Sequence, residues 1–162
     1  MSVKDFVQQR RDALIAMRRD FHMYPEPAWL EYRSAAKVAD RLISLGYDVA
    51  LGADVLDLDS RMGLPSDEVM KAGMDRAIKE GANPELVEKM GYGKTAIVAT
   101  MKFGGESPVV AFRVDMDSND VIEAKEDSHV PTKKGFRSCH DKAMHACGHD
   151  AHMTMGLGLA EY

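Results

Sequence analysis

Cysteine is scarce and tryptophan scarcer: the 162 residues hold two Cys and one Trp. Two thiols cannot build the disulfide framework that staples small secreted domains, so stability has to come from a core. No apolar run reaches the roughly 20 residues that span a bilayer, and no signal-peptide pattern follows Met1. The expectation is a soluble chain of a reducing, cytoplasmic setting, with no membrane partner. Basic excess is missing too, since the net charge is −5 and the paired arginines Arg10-Arg11 and Arg18-Arg19 read as a solvated helix face. Nucleic acid is therefore not an expected partner. What is present is 45% apolar residues, enough to bury the core of one ordinary domain.

Ser2 with Asp5 predicts a capped first helix, and Phe6, Val7, Ala13, Leu14, Met17 and Phe21 give it an apolar stripe ending near His22. Pro25 and Pro27 then break it. His22 and Glu26 read either as functional groups near a cleft or as residues fixing a helix end and turn. Ala35, Val38, Ala39, Leu42 and Leu45 predict a second helix over 30–45, stopped by Gly46, with a short strand over 46–50. Ser66 and Asn83-Pro84 start two further helices that Gly81 and Gly91 end, a helical hairpin over about 64–91. Its charged residues, Arg76 and Glu80 among them, read as a wet face, and Met70, Met74 and Met90 as core. Thr95–Met101 and Val109–Val114 predict a β-hairpin around Lys102–Pro108, its second strand apolar enough to be buried on both faces. That strand would end at Asp115 and Asp117, which either bind or orient metal ligands or simply form a turn.

Both Cys and four of the six His fall between Cys139 and His152. In Met144-His145-Ala146-Cys147-Gly148-His149-Asp150, an extended backbone would send His145, Cys147 and His149 to one face, where thiolate and imidazole suit zinc or a similar ion. Gly148 would allow a turn, Asp150 would cap a helix from Ala151, and Gly156 and Gly158 would let that helix pack closely. A satisfied buried core and a cysteine nucleophile remain alternatives for the same residues. A further alternative is a non-catalytic metal-binding or interaction module, with Cys139, His140, Cys147 and His149 as a closed site. The chain stops at Tyr162, inside the last predicted helix, which suggests a truncated protein prone to self-association.

The His145–His152 string, the Arg113–Asp117 segment and the Phe21–Glu26 turn resemble the aminoacylase and carboxypeptidase superfamily of metal-dependent amidohydrolases. Asp59–Ser66, the helical hairpin and Gly135–Ser138 look more narrowly like the A-subunit branch of the p-aminobenzoyl-glutamate hydrolases. That resemblance implies an α/β fold, the N-terminal part of a catalytic domain with a mixed sheet flanked by helices and without the dimerisation domain. It implies hydrolysis of an amide between an acyl or aroyl group and an amino acid, by an enzyme that is dimeric when complete and uses two divalent ions, Mn2+ or Zn2+. By motif match, Cys147 and His149 would be metal ligands, Asp117 would support them, and Asp150 would lie just outside them. The Glu-Glu pair that supplies the general base in that family does not occur in this sequence, so the isolated chain is expected to be inactive.

Overall fold

In the computed structural model, which describes residues 1–105 and 108–162, helices carry most of the architecture. Helix α1 (Val3–Met23) opens with the expected reciprocal cap: Ser2 Oγ accepts from the Asp5 N–H at 3.2 Å, and Asp5 reaches back to the Ser2 N–H. Helix α2 (Tyr32–Ser44) starts two residues later than its apolar pattern suggests. Its first turn is held from outside, because the buried Glu26 carboxylate accepts the Arg33 N–H at 2.9 Å and the Ser34 N–H at 2.8 Å. Burial pushes the Glu26 pKa up to about 7 although those two N–H groups pull it down. Of its two readings, the structure supports the turn-fixing one.

Strand β1 (Asp48–Leu51) leads to helices α3 (Asp67–Lys79) and α4 (Pro84–Met90), and strand β2 (Ile97–Thr100) returns beside β1. The pair is antiparallel, running from Asp48 opposite Thr100 to Leu51 opposite Ile97. Ser66 Oγ and Asn83 Oδ1 cap α3 and α4 as their sequence positions suggest. A short helix α5 (Val130–Lys133) follows, and α6 (His149–Glu161) closes the described fold. No helix among the described residues is long and apolar enough to cross a membrane.

Among the described residues the expected β-hairpin is not formed. Glu106 and Ser107 of its turn lie outside the described residues, and β2 pairs with β1 instead. Residues 109–114 are irregular, with Val109 98% exposed and Val110 and Phe112 largely so. A strand buried on both faces needs a neighbour on each edge and cover on each side. Helix α6 approaches this segment, where a Cβ on Gly156 would come within 2.8 Å of Val114 Cγ2.

Two apolar clusters hold the elements together. Tyr32, Ala35, Ala36 and Ala39 of α2 pack with Leu51, Met70, Ala77, Val87 and Met90, which fixes the helical hairpin and the sheet to α2. Phe21, Met153 and Leu157 pack α1 on α6, with Met17, Val38 and Leu42 around them. Gly158 serves this second contact, since its closest neighbour is Leu14 of α1. Met116 packs against both clusters, so the carboxylates on either side of it, Asp115 and Asp117, are fixed beside the start of α6.

Candidate metal centre

Helix α6 begins two residues earlier than Asp150 capping would place it. Gly148 is the cap residue, in a left-handed conformation at φ 97°, and His149 is the first helical residue. Asp150 therefore sits in the first turn, where it is fully buried. The expected extended run is broken as well: His145 is buried, Cys147 is exposed, and His149 is on a helix, so the three do not share a face. The extended alternation is lost because the backbone turns at Gly148.

His149 is nevertheless well anchored. Its Nδ1 lies 2.9 Å from the Asp117 carbonyl oxygen and 3.1 Å from Asp117 Oδ1. Both oxygens only accept, so Nδ1 carries the proton and Nε2 offers its lone pair. The ring stacks on His152 with centroids 5.2 Å apart. Ligand atoms of Asp115, His149 and His152 all lie within 4.8 Å of one another, an arrangement of two imidazoles and a carboxylate that fits a divalent transition ion. Asp115 also pairs with the exposed Arg113 at 2.7 Å. His152 was not singled out from the sequence; its spacing of three from a helix-initial His149 is the signal that would have found it.

Cys147 belongs to no such group among the described residues. Its backbone N–H donates to Asn119 Oδ1 at 3.1 Å, which ties the Cys147 backbone to the stretch just after Asp117. The closed site of Cys139, His140, Cys147 and His149 is not formed either. Cys139 and His140 gather with Glu80, and His149 gathers with Asp115 and His152. His145 is 3% exposed and neither ring nitrogen has a partner among the described residues. Burial pushes its pKa down to about 4, so it faces this region as a neutral imidazole with an uncommitted lone pair.

Behind the site lies a chain of buried charges. Asp150 Oδ2 is 2.7 Å from His22 Nδ1 and 2.8 Å from Arg18 Nε, while His22 Nε2 is 3.0 Å from Glu123 Oε1. Glu123 also meets His129 Nε2 at 2.8 Å and accepts the Ser138 N–H. Burial alone would lower the His22 pKa, but the two carboxylates outweigh it and hold the pKa above its ordinary value. Both ring nitrogens face carboxylates, which favours the charged form, and His22 bridges α1, α6 and the stretch before α5. Glu123 was missed in the sequence because a single Glu in a polar stretch carries no pattern.

No family model matches the chain. It is 46% identical over 159 residues to the A subunit of p-aminobenzoyl-glutamate hydrolase from Escherichia coli, covering 98% of this chain and 36% of that protein. It is 44% identical to indole-3-acetyl-aspartic acid hydrolase of Enterobacter agglomerans over 158 residues, with the same two coverages. A crystal structure of the aminobenzoyl-glutamate utilization protein from Klebsiella pneumoniae superimposes with a TM-score of 0.78 at 37% identity, over 99% of this chain and 34% of that one. The chain therefore spans about a third of the length of the relatives it matches.

Proposed function

We propose, from the premise that this chain is homologous over nearly its whole length to the p-aminobenzoyl-glutamate hydrolase A subunits, that it forms the metal-holding part of an amidohydrolase catalytic domain. The substrate is a small N-acyl or N-aroyl amino acid, cleaved at its amide bond. In the complete enzyme two divalent ions, Mn2+ or Zn2+, occupy the centre, the active form is a cytoplasmic dimer, and residues 64–91 are a helical hairpin inserted in the catalytic domain. The dimerisation domain and the general base come from outside these 162 residues.

One observation supports this reading: Asp117 holds Nδ1 of His149, and His149, Asp115 and His152 bring ligand atoms within 4.8 Å of one another. Those three residues would hold a metal ion, with Cys147 supplying a further ligand from the adjoining turn. When bound, the ion supplies Lewis acidity and an acidified water. The protein's own part is orientation. Asp117 sets the tautomer of His149, Met116 packs the loop that carries both carboxylates, and the Arg18–Asp150–His22–Glu123 chain holds the start of α6 against α1. Without a base to move the proton, the isolated chain hydrolyses its substrate negligibly.

Calorimetric titration with Mn2+ and Zn2+ tests the ligand assignment. His149→Ala is expected to weaken binding by more than about 100-fold. Unchanged affinity in a folded His149→Ala chain removes the proposal.

A further inference from the structure

Glu80, Cys139 and His140 come from the end of α3 and from the stretch after α5, yet their ligand atoms all lie within 4.8 Å of one another. Glu80 is turned inward, away from the wet face its sequence suggests, and its Oε2 is buried without a partner among the described residues. His140 Nδ1 lies 2.7 Å from the Pro25 carbonyl oxygen. That oxygen only accepts, so Nδ1 carries a proton. Nε2 then faces Glu80 Oε1 at 2.8 Å. A lone pair and a carboxylate at that separation repel each other unless a proton or a cation lies between them.

We propose that Glu80, Cys139 and His140 form a second metal site, open to solvent on one side and suited to zinc or a similar transition ion. Sulfur, imidazole and carboxylate are the donors such ions prefer, and three protein ligands leave a position for water. The Nδ1–H bond to a backbone carbonyl is the support that metal-bound histidines usually have. The backbone is set as well. Cys139 N–H donates to Met23 O at 2.9 Å, and Ser138 Oγ bonds both the N–H and the carbonyl of His140 at 3.0 and 2.9 Å. Arg33 donates from Nε to the Glu80 carbonyl at 3.0 Å, while its charge is met by Asp20 in two bonds of 2.8 and 3.1 Å. Arg76 Nε and Nη2 have no partner among the described residues. Thiolate and carboxylate together balance a dication.

The same residues do not suit a nucleophile. Desolvation and the Glu80 charge hold the Cys139 thiol above its ordinary pKa, so without a metal it stays protonated. The site shares no residue with Asp115, His149 and His152, and it stands or falls independently of the proposed function.

Cobalt(II) titration of the Cys147→Ser chain, followed through the sulfur-to-cobalt charge-transfer band, is the test, because Cys139 is then the one thiol left. One equivalent is expected to raise that band, and zinc to abolish it. Glu80→Gln and His140→Asn, each with an unchanged circular dichroism spectrum, are expected to weaken cobalt binding at least about tenfold. No band at saturating cobalt, which leaves an ordinary His140–Glu80 ion pair, overturns the proposal. So does a band whose affinity is indifferent to both substitutions, which marks a lone thiol.

Discussion

Asp117 touches His149 through both its backbone carbonyl and its carboxylate, and losing the carboxylate leaves the carbonyl contact in place. Asp117→Ala is therefore expected to lower metal affinity by roughly 10- to 100-fold while the fold survives. Competition with a chelator measures this, and an unchanged affinity counts against a supporting role. His22 is different in kind, because removing it leaves two buried carboxylates facing a gap. His22→Ala is expected to cost about 3–5 kcal/mol in urea unfolding, and a loss below about 1 kcal/mol would show that His22 is not the cation assumed.

The same buried groups fix the sign of the pH dependence. Glu26 holds its proton up to about 7 in the folded chain, against 4.5 for an ordinary Glu, so stability falls by about 3 kcal/mol as pH rises through that window. His22 adds to the fall, since its stabilising charge is complete below its ordinary value of 6.5 and is lost above its raised one. Asp20, Glu123 and Asp150 are lowered and act oppositely, weakening the fold as pH drops below their ordinary carboxylate range. The melting temperature should then peak at about pH 5 and decline toward pH 8. A melting temperature that rises steadily from pH 5 to 8 would falsify this assignment.

At the scale of elements, the start of α6 decides where His149 points. Alanine at Gly148 meets no steric obstacle but must adopt φ 97°, at a cost of about 1–2 kcal/mol. Gly148→Ala is expected to show that loss in denaturant unfolding together with weaker metal binding, and a neutral substitution contradicts the left-handed cap. Helices were legible in the sequence because caps and terminators such as Ser2, Ser66, Asn83 and Gly46 act locally. The 109–114 segment was not, because an apolar run reports composition and says nothing of what covers it. The metal stretch was half legible. Its residue types were informative, but the extended geometry assumed for His145, Cys147 and His149 was overruled by one glycine, and His152 and Glu80 entered through tertiary packing.

For the whole molecule, the exposed Val109 and Val110, and Phe112 beside the exposed Met155 and Leu159 of α6, leave apolar surface that water does not favour. Concentration-dependent self-association is expected in sedimentation velocity, reduced by Val110→Ser with Phe112→Ser. A monodisperse monomer at high concentration would contradict it. The fold itself matches the Klebsiella pneumoniae structure over 99% of this chain, so the α/β arrangement inferred from motif resemblance holds at that scale. The most direct measurement of function is metal-dependent hydrolysis of p-aminobenzoyl-glutamate by this chain alone and by a chimera in which it replaces the matching third of its 46%-identical relative. No turnover is expected of the chain alone, turnover is expected of the chimera, and His149→Ala is expected to abolish it. A folded, metal-loaded chimera without activity, or one indifferent to His149→Ala, would contradict it.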